Sequence, residues 1–500
     1  MSTHALSIYS IFQANARHRP DEPAMADQDR VYTFSQVLSQ VNHLAGGLLD
    51  LGIQRRDTIA ILSLNRWEYL LLYGAAAAIG AITVPINWRL SHEEMRYILE
   101  DSGASHLFFD RANADAVQAM GSLNCRSVAF DSQAKGPGPD WTSILTAPVR
   151  NLPLPESQDL FCLIYTAAVA GRPRGAALSH ANILASNVQT ALTMGLSPGD
   201  VNLNMLPLCH ITGINLAFTV MHLGGLNAIM PKFDAPKALE LIIKHGVTLL
   251  GSFPPILSMI MTETKRLKTA DLPLKNVIGI DSTETISQFC RETGARFWVL
   301  YGQSETSGFV TLSDSSLCPG SAGRTGCLSW SAILDSDDTP MQPGRTGEIG
   351  VRGPLVFQGY WKHGSLDTSS FRNGWHHTGD LGEMDDKGYL WFKGRKPEKE
   401  LIKPGGENVY PAEVEAAILE HPDILETCVI GVPDPKFGEG IKAVCVKRPE
   451  STLTGPLLIE FVGSRIARYK KPGYVTFIET LPKNNDGTID RAGVKKHHSA

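Results

Sequence analysis

The sequence has no C-x-x-C pair. Its eight cysteines are dispersed from Cys125 to Cys445, so neither a zinc site nor a dithiol redox centre is expected. Several lie in apolar runs such as Phe161-Cys162-Leu163-Ile164, which fits reduced core thiols in a cytoplasmic protein. There is little excess charge either. The chain carries 46 Lys and Arg against 51 Asp and Glu, a formal net charge of -5, and its cations are scattered apart from short clusters such as Lys470-Lys471 and Lys495-Lys496. A nucleic-acid binder would show a basic domain or stripe, so that class of partner is excluded. The sequence does not open on a basic stretch followed by an apolar one, so no secretory leader is expected. The one long uncharged run, Tyr69 to Ile86, is interrupted by Gly74, Gly80 and Pro85. It reads as a buried helix, a glycine turn and a buried strand, not as a membrane span. No internal repeat or low-complexity tract occurs, and the Gly/Pro-rich stretch Gln133 to Asp140 reads as an exposed loop.

What is present is ample core. With 43% hydrophobic residues over 500, more than one folding unit is expected. Ile8, Ile11 and Phe12 recur at helical spacing, Val31-Tyr32-Thr33-Phe34 is strand-like, and Gln36 to Leu51 reads as a helix. Thr58 to Leu62, Leu160 to Tyr165 and Phe297 to Leu300 are short apolar runs of the kind found in buried strands. Helices between such strands indicate an α/β architecture with parallel sheets covered on both faces. After Gly353 the texture changes to short strands and turns. A charged stretch at Gly394-Arg395-Lys396-Pro397 then leads into a separate α+β unit, with helices over Pro411–Glu420 and Thr454–Arg468 and strands over Glu426–Val432 and Ile441–Lys447.

Three segments carry the chemistry. Tyr165-Thr166-Ala167-Ala168-Val169-Ala170-Gly171-Arg172-Pro173-Arg174-Gly175 follows a strand and precedes a helix beginning near Ser179. Its glycines let backbone N–H groups approach phosphate and Arg174 adds a cation, although such a stretch taken alone is more often a plain turn. Tyr301-Gly302-Gln303-Ser304-Glu305 offers an aromatic face, small residues and a carboxylate, or else an ordinary loop with a solvated Glu. Trp375-His376-His377-Thr378-Gly379-Asp380 can bring an Asp to a ribose diol; its plainer reading is a hairpin with an exposed His pair. No third ligand at metal spacing accompanies those histidines.

Occurring together and in this order, these segments resemble the adenylate-forming (AMP-binding) superfamily of acyl-CoA synthetases, luciferases and peptide-synthetase adenylation domains, over essentially the whole chain. Leu206-Pro207-Leu208-Cys209-His210-Ile211-Thr212-Gly213, Gly347 to Gly353 and Gly359-Tyr360-Trp361 match as well. So does the block Lys399-Glu400-Leu401-Ile402-Lys403-Pro404-Gly405-Gly406-Glu407-Asn408-Val409-Tyr410-Pro411, which is the most specific of all. The resemblance implies a large N-terminal domain of parallel sheets covered by helices, with a small β-barrel subdomain, over residues 1–394. A small mobile α+β domain over 395–500 would follow it. ATP, Mg²⁺ and coenzyme A are the implied cofactors and cosubstrates, and a small-molecule carboxylic acid the partner, with no membrane span and a homodimer left open. Glu305 would hold the metal with Thr166, and Gly171, Arg174 and Gly175 would belong to the phosphate loop. Tyr301 would lie against adenine beside Asp281 and Ser282, while Gly302, Gln303 and Ser304 pass along AMP. Asp380 and Arg395 would take the ribose hydroxyls. His210 would line the acyl pocket, with Lys403 a further catalytic position. Gly405 and Gly406 would border the pantetheine tunnel, and Lys396-Pro397 would lie at the hinge.

The chain departs from the family pattern in three places. Ala167 to Ala170 replace the usual Ser, Thr and Gly of the phosphate loop, and Arg174 stands where relatives have lysine. Arginine keeps the charge and can bridge two phosphate oxygens. In the closing motif Leu481-Pro482-Lys483-Asn484-Asn485-Asp486-Gly487-Thr488, Thr488 occupies the position of a lysine that in the family bridges carboxylate and phosphate; Lys483 is a conceivable substitute. Gly279-Ile280-Asp281-Ser282-Thr283-Glu284-Thr285 replaces the small residues usual beside adenine. The expected activity is therefore ATP-dependent acid:CoA ligation through an acyl-adenylate. The acid would be medium-chain, cyclic or aromatic, in a pocket walled by Cys209 to Ile211, Ile280 to Glu284 and Phe309. A thioester-forming enzyme with impaired adenylation, and a nucleotide- or acyl-binding pseudoenzyme, are the alternatives.

Overall fold

The helix Trp67–Ile79 is buried around nearly its whole circumference, with Tyr69 and Tyr73 wholly enclosed. A helix apolar on every side has no solvent face, so it must lie inside a core and not over one. Gly80, at φ 74, ends it in the left-handed conformation, and the strand Ile82–Pro85 follows, as the sequence pattern indicated. Gly74 sits where a Cβ would meet the Phe12 ring at 2.8 Å and Val41 at 3.0 Å, so the close approach of neighbouring helices depends on it. The same core cluster includes Met25 of one large sheet and Ile59 and Ile61 of the other.

The computed structural model describes residues 6–27, 30–131, 141–150, 152, 155–166, 172–268, 271–396, 401–484 and 488–499. Gln133 to Asp140, Ala167 to Gly171, Pro397 and Asn485 to Gly487 therefore lie outside the described residues. Among those described, two eight-stranded sheets form the large domain. In the first, the strands Pro23–Ala26, Leu226–Ile229, Val201–Asn204, Leu249–Ser252, Asn276–Gly279 and Arg296–Gln303 run parallel, with antiparallel edges at Val31–Thr33 and Gly308–Asp314. The second is parallel from Arg126–Ala129 through His106–Phe109, Thr58–Leu62 and Ile82–Pro85 to Leu160–Thr166. It then turns antiparallel through Arg174–Ser179 and Gly359–Lys362.

That reversal adds a strand, Arg174–Ser179, that the sequence reading did not include, while the following helix has Ser179 as its N-cap, as expected. The phosphate-loop segment joins two antiparallel strands, and the helix begins at His180 only after the second of them. The cause is the run Ala176-Ala177-Leu178, which pairs with Cys162 to Ile164 and is buried with them.

A five-stranded antiparallel sheet built on Trp330–Leu334, Thr346–Arg352 and Trp375–Met384 forms the subdomain, starting earlier than the change of texture at Gly353. In the small C-terminal domain Gly438–Lys447 is the central strand, antiparallel to Ile424–Asp434 and parallel to Tyr474–Phe477. Its own core includes Val414, Ile418, Val429, Ile441 and Leu458. Among the described residues no helix is long and apolar enough to cross a membrane.

Lys470 joins the two domains. Its side chain is 2% exposed, and its ammonium contacts Glu413 of the small domain at 2.6 Å and Glu94 of the large domain at still closer range. Burial opposes the charge, but the two carboxylates outweigh it and hold the Lys470 ammonium above the ordinary lysine range. Lys470→Met would leave Glu94 and Glu413 facing one another without a cation. We expect it to cost about 3–5 kcal/mol of interdomain stability, seen in urea unfolding as a small-domain transition moved to lower denaturant. An unchanged midpoint would show that the triad contributes nothing.

Candidate active site

The strand Leu160–Thr166 delivers Thr166 at its end, and Arg296–Gln303 delivers Gly302 and Gln303. A single 3-10 turn, Ser304–Thr306, then places Glu305. The antiparallel subdomain contributes Asp380 and, directly across the ladder from it, Arg395. These ends converge on a cavity of about 710 Å³, which the small domain covers from the other side with Lys403 to Asn408. Ligand crevices of α/β sheets form at such strand ends.

Glu305 is buried; the Tyr360 hydroxyl donates to it at 2.8 Å and the Thr166 hydroxyl at 3.4 Å. The Arg174 guanidinium lies 3.8 Å from the centre of the Tyr360 ring, a cation–π stack. Asp380 is 3% exposed and accepts from Tyr301 at 2.8 Å, Gln303 at 2.7 Å and Arg395 at 2.9 Å. Three donors on one carboxylate fix its plane and leave its remaining lone pairs for a ligand. Burial and the neighbouring Arg395 charge push the Lys403 ammonium down to about 8, against the pull of Asp380, Glu439 and Glu305.

On the small-domain side the Gly405–Gly406 turn needs glycine. Both residues have positive φ, 59 and 88, and a Cβ on Gly406 would come within 3.2 Å of the Phe253 ring. Glu407 follows. It pairs closely with Arg89, accepts from Asn87 at 3.2 Å and lies 3.4 Å from His210 Nε2. Burial would raise its pKa, but His210 and Arg89 prevail and hold the carboxyl down at about 2.

The five expected catalytic positions, Thr166, Arg174, His210, Glu305 and Lys403, meet on the cavity wall. Gly302, Gln303, Ser304, Asp380 and Arg395 are there too, as are Gly405 and Gly406. Four other expected positions stand off it. Gly175 packs under the Tyr165 ring within the hairpin. Tyr301 is not on the wall and donates to Asp380 from behind it, because side chains alternate along a strand and its neighbours Leu300 and Gly302 take the wall. Asp281 accepts from the Ser282 backbone, and Ser282 caps the helix Thr283–Thr293, so both are committed to a helix start. Gly171 lies outside the described residues. Of the expected acyl walls, His210, Ile211, Ile280 and Phe309 face the cavity, while Cys209 is buried behind it.

His376 and His377 are buried, so the exposed-pair reading of that hairpin does not hold. His377 Nδ1 lies 2.8 Å from Glu348, which also accepts from Lys396 at 2.8 Å and from the Gly379 N–H at 2.8 Å. Sequence reasoning missed Glu407, Arg89 and Tyr360 as site residues. Glu407 and Tyr360 stand inside quoted motifs, but Arg89 sits 318 positions from Glu407 and no local signal points to it. Among the described residues no group of three His, Cys, Asp or Glu could hold a metal unaided.

Comparison with known proteins places these features. The model of the AMP-binding enzyme family matches residues 12–361, and that of the AMP-binding enzyme C-terminal domain matches residues 413–488. An indoleacetate–CoA ligase of Aromatoleum aromaticum is 34% identical over 95% of each chain. The structure of a double mutant of o-succinylbenzoate CoA synthetase from Bacillus subtilis, bound with its product analogue OSB-NCoA, has a TM-score of 0.85 at 26% identity over 98% of both chains. The synthetase in complex with its acyl-adenylate intermediate gives 0.71 at 27% identity over the same share.

Lys403 offers a test that needs no turnover. Its acetylation by acetic anhydride, followed by mass spectrometry, is expected to rise with a midpoint near pH 8, and Asp380→Asn to move that midpoint lower. Folding depresses this pKa below the unfolded value of about 10.4, so the unfolded chain holds the extra proton in that window. The contribution of Lys403 to stability therefore rises as pH climbs from about 8 towards about 10.4. A midpoint at the ordinary lysine value would show that its surroundings do not perturb it.

Proposed function

The chain belongs to the AMP-binding enzyme family, among the acid–thiol ligases of the acyl-CoA synthetase type, and from that premise we propose that it joins a monocarboxylic acid to coenzyme A through an acyl-adenylate, consuming ATP and releasing AMP and pyrophosphate. The observation that carries this reading is the shared cavity. Asp380 with its three donors, Glu305 with Thr166, and the Gly405–Gly406 turn of the small domain all open on one volume.

In this reading Asp380 and Arg395 take the ribose hydroxyls, and Tyr301 acts from behind by orienting Asp380. Gly302 to Ser304 run beside AMP. Gly302 must be glycine because a Cβ there would collide with the Gly308 carbonyl at 1.6 Å on the neighbouring strand. Thr166 and Glu305 present the oxygen donors that a hard cation such as Mg²⁺ prefers, with the rest of its shell left to phosphates and water. When bound, such an ion neutralises phosphate charge. Arg174 and Lys403 supply fixed positive charge where the carboxylate and α-phosphate, both anionic, must meet. In this reading the thiol enters past Gly405 and Gly406, where a side chain would press on Phe253 or Phe437.

The acyl side is lined by Met205, Leu206, Ile211, Phe253, Ile280 and Phe309. Such walls favour a flat or compact apolar body carrying one carboxylate, and the relatives named above act on indoleacetate and o-succinylbenzoate. We take an aromatic or cyclic acid as the substrate. The closer match to the form bound with the product analogue supports reading the docked small domain as the arrangement for thiol attack.

Incubation with ATP, Mg²⁺, coenzyme A and a panel of aromatic, cyclic and medium-chain acids is expected to give AMP and thioester with at least one of them. Glu305→Gln should lower the rate by about 10²–10³-fold. No AMP or thioester above background from any acid would overturn the proposal.

A further inference from the structure

We propose that Glu348 is the positioning residue of the ribose grip, one buried carboxylate that fixes the backbone beside both Asp380 and Arg395. The inference rests on the reading that those two residues take the ribose hydroxyls.

The strand Trp375–Met384 does not run evenly along Thr346–Arg352. Glu348 lies opposite Leu381 and Gly350 opposite His377, so Thr378, Gly379 and Asp380 stand against the single residue Ile349. Such a bulge bends its strand and re-aims side chains, and here it carries Asp380 to the cavity wall. Gly379 sits within it at φ 72, a conformation that favours glycine. A bulge also takes backbone groups out of the ladder, and in a buried segment each must find another partner. The Thr378 hydroxyl donates to the Ile349 carbonyl at 2.6 Å and accepts from the Asp380 N–H at 3.2 Å. The Thr378 carbonyl accepts from Gln303 at 3.1 Å. That leaves the Gly379 N–H to Glu348, which accepts it through Oε1 at 2.8 Å.

The other oxygen of Glu348 reaches the second ribose residue. Oε2 accepts from the Lys396 ammonium at 2.8 Å and lies 2.8 Å from His377 Nδ1. Lys396 follows Arg395 in the chain, and its backbone N–H donates to the Gly379 carbonyl at 3.0 Å. Gly379 and Lys396 are thus clamped to one another and to Glu348, while their chain neighbours Asp380 and Arg395 pair at 2.9 Å on the cavity wall. Burial would raise the pKa of Glu348, but Lys396, His377 and the Gly379 N–H prevail and hold its carboxyl below the usual carboxylate range. It therefore stays ionised, and an ionised acceptor makes the stronger hydrogen bond. Glu348 does not itself line the cavity, so any effect on a nucleotide passes through Asp380 and Arg395.

The test compares affinity for AMP with affinity for 2′,3′-dideoxyadenosine 5′-monophosphate, both measured by calorimetry on the whole chain. The analogue lacks the hydroxyls that Asp380 and Arg395 would hold, and neither ligand needs an acid or coenzyme A to bind. Glu348→Ala is expected to weaken AMP by about 10–100-fold and the analogue by less than about threefold. Glu348→Gln keeps an oxygen for the Gly379 N–H and should hold AMP within about threefold of the unaltered chain. Gly379→Ala strains the bulge while leaving Glu348 in place, and should show the same hydroxyl-dependent loss. It decides the matter alone should Glu348→Ala not fold.

Equal losses for the two ligands, an AMP affinity unmoved by Glu348→Ala, or a Gln variant no better than the Ala one would overturn the inference and leave the ligase reading standing. An unaltered chain that binds AMP no better than the analogue overturns the ribose assignment, and this inference with it. One that binds neither overturns the nucleotide reading of the whole cavity.

Discussion

Lys470 is a charged group enclosed almost completely by protein, and its ammonium is tolerable there only while carboxylates from both domains remain beside it. Much of the site geometry follows from that condition. With Lys470 seated between Glu94 and Glu413, the block from Lys403 to Asn408 is carried onto the open ends of the large-domain strands. Glu407 then finds Arg89, Asn87 and His210, and Lys403 comes under the influence of Arg395 and Asp380. Charges that would be ordinary surface groups on either domain alone become perturbed, directed groups when the two meet.

Much of the fold was legible in the sequence where a local pattern had one physical solution. The run from Tyr69 to Ile86 could be divided into helix, turn and strand because Gly80 interrupts an otherwise uniform apolar stretch. The small domain could be separated because a charged stretch at Gly394 to Pro397 precedes it, and the structure gives it a core of its own. The strand Arg174–Ser179 went unread because only the pairing of Ala176 to Leu178 with Cys162 to Ile164 defines it. Glu305 and Asp380, which the motifs single out, both line the cavity. Tyr301 stands off the cavity wall because alternation along its strand gives that wall to Leu300 and Gly302. The Glu407–Arg89 pair depends on how two domains dock, which no periodicity reports.

The departures from the family pattern look different once placed in space. Thr488 removes a charge from a segment that sits away from the cavity, whereas the change to Arg174 puts a guanidinium at the cavity itself. The two substitutions therefore act on different domains. Glu348 ties Lys396, at the junction of the domains, to His377 and the backbone of Gly379.

The helix Trp67–Ile79 has a bearing on how such a protein can diversify. Its residues Ala75 to Ala78 are wholly enclosed, and its core cluster takes in side chains from both large sheets, so enlarging them would push the sheets apart. Larger side chains at Ile211 or Ile280, on the cavity wall, would meet open volume instead.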